Sequence, residues 1–147
     1  MKTVAEILHS KGQQIWSIEP DRPVIDAIKL MAEKNIGALL IIQEGLLCGI
    51  VSERDYARKV ILQGKSSRKI TCKEIMTKEV ISVSKGHSVE QCMKLIDQKR
   101  IRHLPVLEAG EAIGMISIGD IVKTIISDQE KTIEQLERYI TGTGQIS

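Results

Sequence analysis

Two serine–aspartate pairs are the groups in this chain whose types and spacing could do chemistry: Ser52-Glu53-Arg54-Asp55 and Ser117-Ile118-Gly119-Asp120. A carboxylate can accept from both hydroxyls of a ribose diol, the task an acidic residue performs in dinucleotide folds. A serine at a helix start presents its hydroxyl beside backbone N–H groups that lack helical partners, a favourable place for phosphate. The same spacing suits a capping box, in which Ser and the acidic side chain three residues on satisfy those donors. Both readings stay open here, and for Ser52 and Ser117 they coexist. No other catalytic pattern is present: there is no nucleophile elbow, no P-loop and no GxGxxG. His9, His87 and His103 lack metal-ligand spacing. Cys48, Cys72 and Cys92 are odd in number and form no CxxC, so they read as small buried apolar residues, without a disulfide framework or zinc. The chain is therefore read as a non-enzyme.

The elements that position these pairs repeat. Shifting the chain by 65 residues aligns Ser17-Ile18 with Ser82-Val83, Val24 with Val89, Lys29-Leu30 with Lys94-Leu95 and Lys34 with Lys99. The same shift brings Ile36 onto Ile101, Leu39 onto Leu104, Gly45 onto Gly110, and Gly49, Ser52 and Asp55 onto Gly114, Ser117 and Asp120. One offset held over some forty residues means two copies of one supersecondary unit. Each copy reads as strand, helix, strand, strand, helix. In the second, the pattern predicts a strand over 80–83, a helix over 89–98 capped by Ser88, strands over 104–107 and 113–117, and a turn at Ala109-Gly110. In the first it predicts a helix over 23–34 with Asp21 as N-cap, strands over 38–42 and 47–51 around Glu44-Gly45, and a helix over 53–62 capped by Ser52. Short helices over 4–9 and 73–77 lead into each copy. The division is 1–64 for the first repeat with its N-terminal helix, 65–127 for the second, and 128–147 for a C-terminal helix and frayed tail. One copy of about 60 residues buries too little surface to stand alone. Two copies packed sheet to sheet, an α/β (α+β) arrangement, are expected to share one aliphatic core and leave two pseudo-twofold-related clefts.

Composition narrows the classes further. The chain has 147 residues, 42% hydrophobic and 27% charged, an ordinary globular balance. Its net charge of +2 and 2% aromatic content argue against a nucleic-acid binder, the basic segment 65–73 included. The longest apolar stretch, 36–42, is far short of the ~20 residues that cross a bilayer. The first ten residues lack an apolar h-region, so no signal peptide is read there and a cytoplasmic location is expected.

With its repeat in place, the sequence resembles a tandem CBS-domain pair, or Bateman module, over about residues 4–126. The resemblance rests on Gly49-Ile50-Val51-Ser52-Glu53-Arg54-Asp55 and Gly114-Met115-Ile116-Ser117-Ile118-Gly119-Asp120, with Arg102-His103-Leu104-Pro105-Val106 as a further hallmark. The stretches 52–59 and 101–106 look like stand-alone CBS-pair proteins with no attached enzyme or channel. The resemblance implies that adenosine-containing ligands, AMP, ADP, ATP, S-adenosylmethionine or NAD(H), bind in the clefts as regulatory ligands.

On that resemblance, the first cleft combines Met115, Ser117, Gly119 and Asp120 with Arg22, Ala27, Ile36, Gly37 and Ala38. Arg102 and His103 correspond to cations that hold phosphate in some members. The second cleft takes Ile50, Ser52, Arg54 and Asp55 from the first copy, and His87, Cys92, Ile101 and the backbone at Arg102-His103 from the second. Arg58 and Lys59 add charge there. This reading places the first cleft slightly ahead for occupancy.

The C-terminal helix, predicted over 120–139, carries an apolar stripe of Val122, Ile125, Ile126, Ile133, Leu136 and Ile140, interrupted by Gln129. Such a stripe needs a partner surface, either the N-terminal helix or, preferred here, a second copy, since CBS pairs generally associate through helical faces into flat dimers. The expected function is a ligand-sensing module that modulates an unidentified partner protein. The alternative is a structural dimerisation scaffold with vestigial clefts.

Overall fold

A computed structural model describes residues 2–141. The chain opens with α1 (Val4–Lys11), then β1 (Ser17–Ile18), α2 (Val24–Lys34), β2 (Ala38–Gln43) and β3 (Leu46–Ser52). Next comes α3 (Glu53–Tyr56), which runs on as a π-helical stretch, Ala57–Ile61. The second repeat follows as α4 (Cys72–Ile75), α5 (Val89–Lys99), β4 (His103–Glu108), β5 (Glu111–Ser117) and the long α6 (Ile118–Ile140). Two sheets form, β1-β2-β3 and β4-β5. β2 and β3 pair antiparallel with Ala38 opposite Ser52, as β4 and β5 do with His103 opposite Ser117. Each hairpin closes on two residues of positive φ, Glu44-Gly45 (51° and 80°) and Ala109-Gly110 (52° and 82°), a geometry that follows the right-handed twist of the strands.

Alternation along the strands divides their side chains between two surfaces. Leu39, Ile41 and Val51 face α2 and pack with Val24, Ala27 and Met31. Leu104, Val106 and Ile116 form the matching core with Val89, Cys92 and Ile96 of α5. The single shared core expected from the sequence is thus two cores, one under the helices of each repeat. Ala38 and Leu40 are buried yet belong to neither, because the pleat turns them toward the other sheet. There β3 meets β5.

The lead-in helices cross over. Val4, Ile7 and Leu8 of α1 complete the second core, and Ile70, Cys72 and Ile75 around α4 complete the first. Glycines make room for this exchange. A Cβ on Gly49 would stand 2.8 Å from the Thr77 carbonyl oxygen and 2.8 Å from Met76 Sδ; one on Gly114 would stand 2.8 Å from Leu8 Cδ2. Both glycines sit on the core side of their strands, so they serve packing rather than the approach of a ligand.

Four local expectations change. The strand over 80–83 shrinks to a single bridge between Val83 and Val106. In the first repeat Leu40 N–H donates to the Trp16 carbonyl at 3.2 Å and lengthens β1; the equivalent residue, Pro105, has no N–H to give. Asp21 does not cap α2: Pro23 holds the N-cap position without a side-chain bond. The helix over 53–62 is α-helical for only its first turn. α6 is longer than expected. Its first half lies on α1, α5 and β5, while its residues from Gln129 onward are exposed. The tail beyond Thr141 lies outside the described residues.

Candidate functional site

Both serine–aspartate pairs close capping boxes. Asp55 Oδ2 accepts from Ser52 N–H at 2.9 Å and Ser52 Oγ–H at 3.1 Å, while Asp55 N–H donates to Ser52 Oγ at 3.2 Å. Asp120 Oδ2 accepts from Ser117 N–H at 2.8 Å, and Asp120 N–H donates to Ser117 Oγ at 3.1 Å. Capping does not exhaust a carboxylate, whose two oxygens offer about four lone-pair sites. Each aspartate also holds a lysine. Lys59, one turn along, lies 3.0 Å from Asp55 Oδ1. Lys11, from the far end of the chain, lies 2.6 Å from Asp120 Oδ2. Burial works against the charge of Asp120, but the Lys11 ammonium and the Ser117 N–H outweigh it and hold the carboxyl below its ordinary range.

Two clefts open at the serine ends of the hairpins, on either side of Gly37 and His103. The second, about 590 Å³, is lined by Ile50, Ser52, Arg54 and Asp55 of the first repeat and by Ile101, Arg102 and His103 of the second, with Arg58 and Lys59 at its side. The first, about 380 Å³, is lined by Ile36, Gly37, Ala38, His103, Met115, Ser117 and Asp120. The 65-residue offset maps one lining onto the other: Ile36 on Ile101, Gly37 on Arg102, Ala38 on His103, Met115 on Ile50, Ser117 on Ser52 and Asp120 on Asp55.

The structure places the remaining candidates elsewhere, and they fall into equivalent pairs. Ala27 and Cys92 are fully buried beneath their sheets, and burial raises the Cys92 thiol to about 11. Arg22 and His87 stand at the opposite, hairpin end. Arg22 is bound to Asp26 at 2.9 Å, and His87 Nδ1 accepts from Ser84 N–H at 3.0 Å. The reason is direction: β1 runs parallel to β2, so chain beyond β1 has left the serine end and chain before it has not. Gly119 lines neither cleft, and Arg102 faces the second rather than the first.

That same direction identifies residues the motifs did not reveal. Gly12, Gln14 and Trp16 line the first cleft, and their equivalents Thr77, Glu79 and Ile81 line the second. Lys11, Lys34 and Asn35 also border the first cleft; Glu53, Ala57, Val80, Arg100 and Pro105 border the second. Only the strand pairing could have signalled them.

His103 separates the clefts. Its burial, with Lys11 nearby, lowers the imidazole pKa below the ordinary 6.5, so the ring is neutral at neutral pH. Among the described residues no group of three or more His, Cys, Asp or Glu is placed to hold a metal.

Comparison with known proteins matches this geometry. The sequence pattern of the CBS domain fits residues 4–61 and again 72–127. The chain belongs to the CBS-domain family. It is a tandem CBS pair, and such pairs are regulatory modules. The chain is 38% identical over 150 residues to the CBS domain-containing protein CBSX3, mitochondrial, of Arabidopsis thaliana, covering 95% of this chain and 72% of that one. A protein with CBS domains from Burkholderia ambifaria MC40-6 has a similar structure, with a TM-score of 0.84 and 51% identity over 87% of this chain and 96% of that one. The CBS pair of protein MJ0100, solved with 5′-methylthioadenosine and S-adenosyl-L-methionine, has a TM-score of 0.78 and 25% identity over 87% of this chain and 98% of that one.

Proposed function

We propose that this CBS pair senses an adenosine-containing nucleotide, AMP, ATP or NAD(H), in its second cleft and thereby modulates a partner protein. The observation that carries this is the second cleft itself. Arg54, Arg58, Lys59, Arg100 and Arg102 line it together with the acids Glu53, Asp55 and Glu79, a cationic excess suited to phosphate beside an acceptor suited to ribose. Ile50, Ile81 and Ile101 supply apolar walls for a purine. The Ile81 carbonyl, deprived of a ladder donor by Pro105, is an acceptor for an exocyclic amine. The complex with adenosine compounds seen for the MJ0100 pair supports the same ligand class. The roles assigned to Ser52, Asp55, Ile101, Arg102 and His103 belong to this proposal. The order of the clefts is the reverse of the sequence reading, which placed the first ahead.

A ligand alters a partner only through different affinities for two states. Here it bridges the repeats, and their relative packing is the variable. Protein freed of carried-over small molecules is heated with AMP, ATP, NAD(H) or S-adenosylmethionine at millimolar concentration. A raised Tm with at least one supports the reading, and no shift with any of them refutes it.

One observation favours the scaffold alternative: both aspartates already serve as helix caps. It predicts no nucleotide response and partner binding indifferent to Asp55 and Asp120. Both readings share a homodimer through the helical faces, where Met93 of α5 and Ile118 and Val122 of α6 are exposed beside one another. No helix among the described residues is long and apolar enough to cross a membrane. The cytoplasm is the proposed compartment, although the Arabidopsis relative is named as mitochondrial; cell fractionation distinguishes the two.

A further inference from the structure

We propose that the exposed half of α6, residues 129–140, pairs in parallel and in register with the same segment of a second copy, as a short two-stranded coiled coil. This goes beyond the homodimer face named above, because it adds a separate contact and fixes the direction in which two copies meet.

Val122, Ile126, Gln129, Ile133, Leu136 and Ile140 follow one another at steps of 4, 3, 4, 3 and 4 residues, the a and d spacing of a coiled-coil seam. The helix leaves the body of its own chain after Asp128, whose carboxylate lies 3.8 Å from the Lys2 ammonium. The spacing continues past that point without a break, although Ile133, Leu136 and Ile140 are 54%, 55% and 71% exposed. Isolated helices shorter than about 12–15 residues are marginal in water, so this half of α6 needs a surface to lie on.

The residue type at each position makes that surface the same helix. Ile126, Ile133 and Ile140 take the a positions and Leu136 a d position, β-branched at a with Leu at d, the combination that favours two parallel strands. Gln129 takes the remaining d position of the exposed half. In register it meets its own counterpart, and the two amides can donate and accept across the seam; any other register sets it against Ile or Leu. The flanks decide direction. Glu130 and Glu137 line one side of the stripe, and uncharged Thr132 and Tyr139 line the other. Parallel pairing lays the acidic flank of each copy along the uncharged flank of its mate. Antiparallel pairing of the same segments lays acid against acid. Arg138 is kept to the outer face, with Glu134 at 3.8 Å. Toward the body the stripe runs on through Ile126 and Val122, where Ile118 and Met93 are also exposed, so it is continuous with the proposed homodimer face. Ser117 and Asp120 cap α6 in the wall of the first cleft, which makes the paired arm one continuous helix with that wall.

The whole chain is studied by sedimentation equilibrium as wild type, Ile133→Asp and Gln129→Leu. Wild type is expected to be a dimer. Ile133→Asp, which places a charge in the seam of both copies, is expected to weaken it at least about tenfold, with Trp16 emission unchanged because the body stays folded. Gln129→Leu is expected to tighten it, since the polar seam residue sets register at a cost in stability. Direction is read from Leu136→Cys, which is expected to form a disulfide with its own counterpart under mild oxidation, while wild type, with Cys48, Cys72 and Cys92 alone, and the outer-face variant Lys131→Cys do not. A wild type that stays monomeric at high micromolar concentration, or assembles as a trimer, overturns the proposal. So does a dimer equally tight in Ile133→Asp, which leaves the body face as the whole contact. Failure of Leu136→Cys to cross-link overturns the parallel arrangement, and Gln129→Leu weakening the dimer overturns the seam.

Discussion

The Thr77 carbonyl oxygen stands 2.8 Å from the point where a Cβ on Gly49 would lie. Thr77 and Ile50 exchange backbone bonds at 3.1 and 2.9 Å, so this strand edge cannot retreat without breaking them. The equivalent contact at Gly114 is with Leu8, a side chain. Gly49→Ala is therefore expected to cost about 3 kcal/mol and Gly114→Ala about 1–2 kcal/mol, read as shifts in urea midpoint at unchanged m-value. Equal costs would show that the two crossings are equally rigid.

Asp55 and Asp120 make similar caps but face different clefts. Each replaced by Ala should lose about 1 kcal/mol of stability through its capping box. Only Asp55→Ala should also abolish the rise in Tm with nucleotide, because Asp55 lines the second cleft, where the ligand is proposed to bind. A lost response in Asp120→Ala alone would move the ligand to the first cleft.

Arg102 stands where the first repeat has Gly37, which makes it a charge that one cleft has and its mate lacks. Arg102→Ala should weaken ATP about tenfold, the worth of one charge-assisted hydrogen bond, and leave adenosine unaffected. Titration of both ligands at two salt concentrations checks this, since an equal loss for both would place Arg102 on the nucleoside instead.

His103 imposes a direction on pH dependence. Its folded pKa lies below 6.5 through burial, with Lys11 and Arg102 adding to the effect and Asp120 opposing it. Below the unfolded value the unfolded chain binds the proton that the folded chain refuses, so stability falls as pH drops beneath about 6.5. His103→Gln should flatten this slope in urea titrations between pH 7 and 5. A slope unchanged by the substitution would assign it to other groups.

Val122 and Met93 are exposed on adjoining helices. If dimers form through this face, Val122→Glu should yield a monomer by light scattering with unchanged circular dichroism. A dimer that survives the charge would move the interface elsewhere.

Much of this architecture is legible in the residues. The offset, the hairpin turns and the caps Ser52, Ser88 and Ser117 depend on neighbours three to five residues away, and local spacing is what a sequence displays. Ser52, Asp55, Ser117 and Asp120 reach the clefts because a strand end and a helix start fix them together. Arg22 and His87 do not, because their direction depends on how β1 and Val83 pair, contacts between residues over twenty apart, and Ala27 and Cys92 do not, because their helix faces are buried under the sheets. Gly49 and Gly114 resemble ligand-site glycines in the motif, yet what fills the space over them comes from distant segments.

The sequence by itself determined that two copies of one unit exist and where their acidic pairs lie, since both properties survive in an extended chain. Only the tertiary structure decided which copy each lead-in helix joins and which distant residues line each cleft. Lys11 lies 109 residues from Asp120, and no periodicity links them. Their meeting follows from α1 burying Val4, Ile7 and Leu8 in the core of the other repeat, because hydrophobic burial is indifferent to chain order.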